Sequence, residues 1–261
     1  MFLCSRIDLV LEGAVITERM PQIVPARGTA TRLLQIGDDR RVAKRKPASS
    51  RGKYDRTMTA AERQVDQRTK LLDAATIVIA TKGFSETTVE AIVARAGMSR
   101  RTYYEHFSDV RDVLAQIYER AATISLTMVT SSARAHADPL EALRAGITAY
   151  FLAVATYPDV ARVMFQEYRQ GGRDFETRYQ RDSSRYAELL LELLAAVHAA
   201  GHLARKPTEA SVFAVAKGIE ALAVRAIARD EHTRLQALVP EVLELVIAPF
   251  RQAQRRAQDV K

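Results

Sequence analysis

The chain has 261 residues, 48% of them hydrophobic and 27% charged, enough apolar material for a sizeable core in one or two domains. Its single cysteine, Cys4, excludes an internal disulfide framework and a four-cysteine zinc site, and predicts a reducing, cytoplasmic home. No run approaches the ~18 uncharged apolar residues of a membrane span, and Arg6, Asp8 and Glu12 interrupt the N-terminal apolar stretch, unlike a signal peptide.

The net charge of +8 is concentrated at the front. Residues 1–57 hold 12 Lys/Arg against 6 Asp/Glu, whereas residues 58–120 hold 9 of each. Arg40, Arg41, Lys44, Arg45, Lys46, Arg51, Lys53 and Arg56 surround Pro47-Ala48-Ser49-Ser50, the composition of a disordered basic arm that attracts phosphate without reading sequence. The other reading is an untranslated or functionless extension, since Met20 and Met58 are both possible starts; the two readings stay open. Residues 1–57 are therefore expected to form a basic, disordered leader.

From Met58 the pattern turns helical. Leu71, Leu72, Ala75, Val78 and Ile79 recur at helical spacing up to Lys82-Gly83, predicting a helix over about 66–82. Thr87-Thr88-Val89-Glu90 reads as a capping box with Thr87 as the N-cap, opening a short second helix that carries Val89, Ile92, Val93 and Ala96 inward and ends at Gly97. Ser99 offers the next N-cap, for a helix from Arg100 to about Phe107. Two short helices joined by Ala96-Gly97-Met98-Ser99 make a helix-turn-helix, and residues 58–120 are assigned to a DNA-binding domain.

A helix of this length fits a major groove about 12 Å wide, with its N-terminal side chains toward base edges. Arg100, Arg101 and Thr102 stand at that end, and arginine grips guanine O6 and N7 with two bonds. Tyr103 is expected to offer its ring to thymine methyls, while Tyr104 and His106 can donate to phosphates. Core packing is the alternative for Tyr104 and His106, and the favoured reading for Phe107. Thr87 and Thr88, at a helix start, suit phosphate contacts as well.

Ser108 and Asp109 cap a long helix with apolar positions Val110, Val113, Leu114, Ile117, Ala121, Ile124 and Met128, which links the DNA-binding domain to the rest. Breaks at Asp138-Pro139, Tyr157-Pro158, Gly171-Gly172, Gly201 and Pro207-Thr208 leave amphipathic segments 139–156, 159–170, 175–200, 208–230 and 239–256. With no alternating strand pattern between them, the fold class is all-α, and residues 121–261 form a helical domain.

Arg68, Leu71-Leu72, Ala74-Ala75, Gly83-Phe84, Thr87-Thr88-Val89, Ile92 and the run from Ala96 to Phe107 resemble the DNA-binding domain of TetR/AcrR-type transcriptional regulators. The resemblance covers about 66–118; the later helices match that family in number and length alone. It implies a homodimer on a double-stranded operator, released by a small-molecule effector, and no cofactor. The family's usual lysine three residues after the last phenylalanine of the recognition helix is here Val110, and Arg111 follows as a substitute. The expected DNA-facing set is thus Thr87, Thr88, Ser99, Arg100, Arg101, Thr102, Tyr103, Tyr104, His106 and Arg111.

In the C-terminal domain, Met128, Tyr150, Phe151, Met164, Phe165 and Tyr168 are candidates for the wall of an apolar or amphipathic effector pocket, with core packing as the alternative. Val212, Ala216, Ile219 and Ala223, with Val242, Val246 and Phe250, form apolar stripes on the last two long helices and are the expected dimer interface. His198 and His202 have metal-ligand spacing, but Gly201 between them argues against a shared helix face and hence against a metal. Glu167, Tyr168, Arg169, Arg173 and Asp174 around Gly171-Gly172 read as solvated surface. No nucleophile elbow, phosphate-cradling loop or metal signature supports an enzyme. The leading expectation is an effector-released repressor; the alternative is a DNA-binding protein whose helical domain binds another protein.

Overall fold

The computed structural model describes residues 8–11, 14–17 and 59–251, in a chain that divides into two units, 1–60 and 61–261. In the first, strand β1 (Asp8–Leu11) pairs antiparallel with β2 (Ala14–Thr17), Leu9 opposite Ile16 and Val10 opposite Val15. This hairpin lies inside residues 1–57, expected as a leader; its signal is two runs rich in Val, Leu and Ile separated by Glu12-Gly13. The predicted arm from Arg40 to Arg56 lies outside the described residues.

In the second unit every regular element among the described residues is a helix. Helix α1 (Ala60–Lys82) starts six residues before the predicted 66, because the stretch from Ala60 to Gln67 holds no Gly or Pro to stop it. It ends where Gly83, at φ +86°, turns left-handed and donates to the Ile79 carbonyl at 2.9 Å. Helix α2 (Val89–Ala96) is capped by Thr88, not Thr87: the Thr88 hydroxyl accepts from the Ala91 amide at 3.3 Å. The expected capping box is one residue out of register because Thr87 is buried and its hydroxyl donates to the Gly83 carbonyl at 2.7 Å. Gly97 ends α2 in the left-handed region at φ 67°. Ser99 then caps α3 (Arg100–Tyr104), accepting from the Thr102 amide at 3.1 Å as predicted, though α3 stops three residues before Phe107.

Helix α4 (Val110–Arg134) opens at Asp109, whose carboxylate accepts from the Asp112 amide at 2.7 Å. Helices α5 (Pro139–Thr156), α7 (Arg173–Ala199) and α8 (Glu209–Ala228) fall close to the predicted segments. Gly201, at φ +85°, terminates α7 between His198 and His202, with His202 donating to Val197 and Gly201 to His198, so the two imidazoles do not share a helix face. The predicted helix 159–170 is three pieces: α6 (Pro158–Arg162), a π-helical turn (Val163–Glu167) and a 3₁₀ turn (Tyr168–Gly171). A 3₁₀ stretch (His232–Leu238) precedes α9 (Val239–Ile247), which ends nine residues before the predicted 256 and passes into a 3₁₀ turn, Ala248–Phe250. Pro249 lacks the amide that would continue the ladder.

Two cores result. One gathers Leu71, Leu72, Ile79, Ile92, Tyr103, Phe107, Val113 and Leu114 from α1–α4, joined by Val163, Tyr168, Phe175 and Tyr179. The other gathers Leu143, Ile147, Phe151, Leu194, Val212, Ala223, Val242, Val246 and Phe250 from α5 and α7–α9.

Candidate nucleic-acid interface and effector domain

Helix α3 presents a charged and aromatic face. The Arg101 side chain is 90% exposed and, among the described residues, pairs with Glu105 at 3.2 Å one turn on. Arg100 lies against the Tyr104 hydroxyl and pairs with Glu90 of α2 at 2.9 Å, both guanidinium and carboxylate largely exposed. Such a surface pair contributes at most about 1 kcal/mol, so it orients Arg100 without locking it away from a base. Tyr104 is half exposed, and Ser99 and Thr88 are exposed at the N-caps of the two helices.

Three expected contacts change. Tyr103 is fully buried, its hydroxyl donating to the Asp109 carbonyl at 2.8 Å and its ring 5.4 Å from Phe107, so it ties α3 to α4 and offers no ring to thymine. On a helix of one and a half turns one side must face the core, and residue 103 is on it, with Arg100, Arg101 and Tyr104 outward. Thr87 is buried with its hydroxyl occupied, leaving Thr88 as the exposed threonine of the pair. Arg111 has its guanidinium 4.8 Å above the Phe175 ring and 3.8 Å from Asp174, directed at the start of α7. His106 is half-buried, with an enclosed Nε2 that has no hydrogen-bond partner among the described residues, and Phe107 is core as expected.

The six pocket candidates do not share one wall. Phe151, Tyr150 and Phe165 belong to the C-terminal core, whereas Tyr168 and Met164 pack with the DNA-binding helices; Met128 is half-buried on α4. Tyr168 stacks on Tyr118 with centroids 3.7 Å apart and planes at 15°, and its buried hydroxyl has no hydrogen-bond partner among the described residues. Burial pushes the Tyr168 phenol up to about 12, and that of Tyr186, which lies 5.9 Å from Tyr150, also to about 12.

Sequence reasoning overlooked the polar groups inside this domain. The Lys217 ammonium donates to Ser183 Oγ at 2.8 Å and Tyr179 Oη at 3.2 Å and pairs with Glu220 at 2.9 Å, with the Tyr179 ring 4.5 Å away. Burial raises the Glu220 carboxyl and lowers the Lys217 amine, the expected sense for charges removed from water. Asp182, 4% exposed, meets Arg181 at 3.2 Å and Arg185 at 3.6 Å. The available signal was Lys217 and Glu220 within the otherwise apolar run from Ala214 to Ala223.

The expected dimer stripe is also corrected. Val212, Ala223, Val242, Val246 and Phe250 are 0–3% exposed and fill the protomer's own core, with Ala216 and Ile219 half-buried against it. The large apolar side chains that these helices leave exposed are Phe213, 40%, and Leu245, 59%. A β-carbon on Gly218 would meet open space. The other face of each helix is thus the one available to a partner.

Among the described residues no group of His, Cys, Asp and Glu is placed to hold a metal ion, and no helix is long and apolar enough to cross a membrane.

Comparison with known proteins agrees with this architecture. The HTH-type transcriptional activator FasR of Mycolicibacterium smegmatis is 29% identical over 86 residues, which span 33% of this chain and 39% of that protein. Among solved structures, the fatty acid degradation regulator FadR from Bacillus halodurans superposes with a TM-score of 0.66 at 23% identity, covering 72% of this chain and 97% of the other. FadR from Bacillus subtilis, in complex with stearoyl-CoA, gives 0.62 at 23% identity over 70% and 99% of the two chains. At these identities the structures establish the fold. The family description "Bacterial regulatory proteins, tetR family" matches residues 71–117, and "Tetracyclin repressor-like, C-terminal domain" matches 136–224. With the two matches together spanning more than half of the chain, and the helix-turn-helix falling inside the first, the protein belongs to the TetR family of DNA-binding transcriptional regulators.

Proposed function

We propose that the protein is a homodimeric, cytoplasmic repressor, freed from its operator when an apolar or amphipathic small molecule enters the C-terminal domain. The observation that carries the DNA-binding half is the outward face of α3, with Arg101 90% exposed and Arg100 and Tyr104 beside it at the start of a groove-sized helix. Arg100, Arg101 and Thr102 read base edges; Ser99, Thr88 and Tyr104 hold phosphates, while His106, its Nε2 enclosed, packs beneath them. Dimerisation uses the outer faces of α8 and α9, around Phe213 and Leu245, because a two-fold operator needs two recognition helices about 34–36 Å apart.

The effector reading draws on the half-buried Tyr150 and Phe165 at the edge of the C-terminal core. It draws also on what is bound to proteins of the same fold: stearoyl-CoA in the Bacillus subtilis regulator and triclosan in SmeT. A long acyl thioester and a chlorinated phenol share an apolar body with a polar end, the chemistry we assign to the effector here.

Genomic affinity selection with the purified full chain, followed by fluorescence anisotropy on the enriched site, tests the reading. Enrichment of a two-fold sequence, with release by stearoyl-CoA or triclosan at micromolar concentration, supports it. Enrichment without release favours a regulator whose helical domain binds a protein. Because the mycobacterial relative is an activator, the sign is tested separately: deletion of the gene raises transcription from the selected site if the protein represses.

A further inference from the structure

The segment from Ala161 to Tyr168 belongs to both cores. Ala161 and Phe165 pack in the C-terminal cluster, whereas Val163, Met164 and Tyr168 pack with the DNA-binding helices. In an unbroken α-helix Tyr168 would fall about 20° from Ala161, on the C-terminal side. The π-helical turn over Val163–Glu167 advances less per residue and leaves Tyr168 on the side of Val163 and Met164, stacked on Tyr118 of α4. The same turn carries Glu167, which the sequence placed on the surface. Its Oε2 accepts from the Phe84 amide at 2.8 Å and from the Gln170 side-chain amide at 2.9 Å.

Phe84 opens the turn that sets the direction of α2. Within that turn the Thr87 hydroxyl donates to the Gly83 carbonyl, and the Thr87 amide donates to the Phe84 carbonyl at 3.1 Å. The turn thus holds itself together; besides the packing of the Phe84 side chain on the core that Val163 and Tyr168 share, the Phe84 amide bond to Glu167 ties it to the other domain. The exit of the segment is equally constrained. A β-carbon on Gly171 would overlap the Phe175 ring, and Gly172 takes φ +89°.

We propose that Glu167 is a positioning residue for DNA binding: from the π turn, its carboxylate grips the Phe84 amide and fixes the angle at which the helix-turn-helix leaves the body. The role in DNA binding rests on the operator-binding reading; the hold on the Phe84 amide does not. Glu167 touches no DNA; it restricts the recognition helices to one spacing, and it sits two residues from Phe165, the side chain an effector would displace.

Amide hydrogen exchange on the full-length wild type, Glu167→Ala and Glu167→Gln, with operator affinity measured on sites whose half-site spacing is changed by one and two base pairs, tests this. In Glu167→Ala the Phe84 amide exchanges about tenfold faster or more, as expected for loss of a bond to a charged acceptor, while α8 and α9 keep wild-type protection. Affinity for the native spacing falls and the penalty for altered spacing shrinks, because a loosened domain accepts more geometries. Glu167→Gln, which keeps an acceptor oxygen, restores both. Unchanged Phe84 exchange in Glu167→Ala overturns the proposal, as does faster exchange with wild-type affinity and spacing preference. If the wild type binds no DNA, the operator reading fails, and the exchange comparison still decides whether Glu167 holds the turn.

Discussion

Leu245 and Val246 are neighbours on α9, one 59% exposed and the other 1%, and a glutamate at each should separate assembly from folding. Burying a whole leucine side chain stabilises by about 1.5–3 kcal/mol, so covering the exposed part of Leu245 contributes about 1–2 kcal/mol. A two-fold interface buries it twice, giving about 2–4 kcal/mol, or roughly 30- to 1,000-fold in the dimer dissociation constant. Leu245→Glu loses this and brings two carboxylates together, while the isolated protomer changes by no more than about 0.5 kcal/mol. Val246→Glu instead places a carboxylate in the core formed with Leu243, Leu194 and Phe250, at a cost comparable to the ~5–15 kcal/mol stability of a typical domain. Light scattering over a concentration series, paired with thermal melting by circular dichroism, distinguishes the two. Leu245→Glu should give folded, helical monomers that bind the operator weakly; Val246→Glu should give little folded protein at any concentration. A Leu245→Glu dimer as tight as wild type would place the interface elsewhere, and a folded, monomeric Val246→Glu protein would put Val246 on the surface.

Arg101→Ala should relax base preference at one position of each half-site at a cost of ~1–3 kcal/mol, read by competition between specific and random DNA; an equal loss on both would make Arg101 a phosphate contact. Tyr103→Phe removes the hydroxyl bond to Asp109 and should cost about 0.5–1.5 kcal/mol in chemical denaturation with sequence preference unchanged. A changed preference would put the ring in the groove. At high pH the tyrosines of the unfolded chain ionise near 10, whereas Tyr168 and Tyr186 keep their protons to about 12. The folded state then binds more protons than the unfolded one, so stability falls as pH rises from 10 to 12. Phenolate absorbance should show a late-titrating class that vanishes in denaturant; titration of all tyrosines near 10 in folded protein would contradict the burial.

Local chemistry makes the helix-turn-helix legible in the amino-acid sequence alone. Gly83 and Gly97 stop helices by adopting positive φ, Ser99 caps the next with its own hydroxyl, and Pro139 and Gly201 mark the limits of α5 and α7. These effects act within one turn, so a sequence carries them whole. Whether Thr87 or Thr88 is the cap depends on whether Thr87 can reach Gly83, a bond across a turn. The faces of α8 and α9 lie beyond the sequence for a different reason. An apolar stripe such as Val242–Val246 satisfies the hydrophobic effect equally well against its own protomer or against a copy, and only packing with α5 and α7 assigns it inward. The segment after Pro158 shows the same limit. Its residues suit a regular α-helix, yet two cores on opposite sides compete for Phe165 and Tyr168, and a π turn satisfies both while carrying Glu167 to an amide 83 residues away in the sequence.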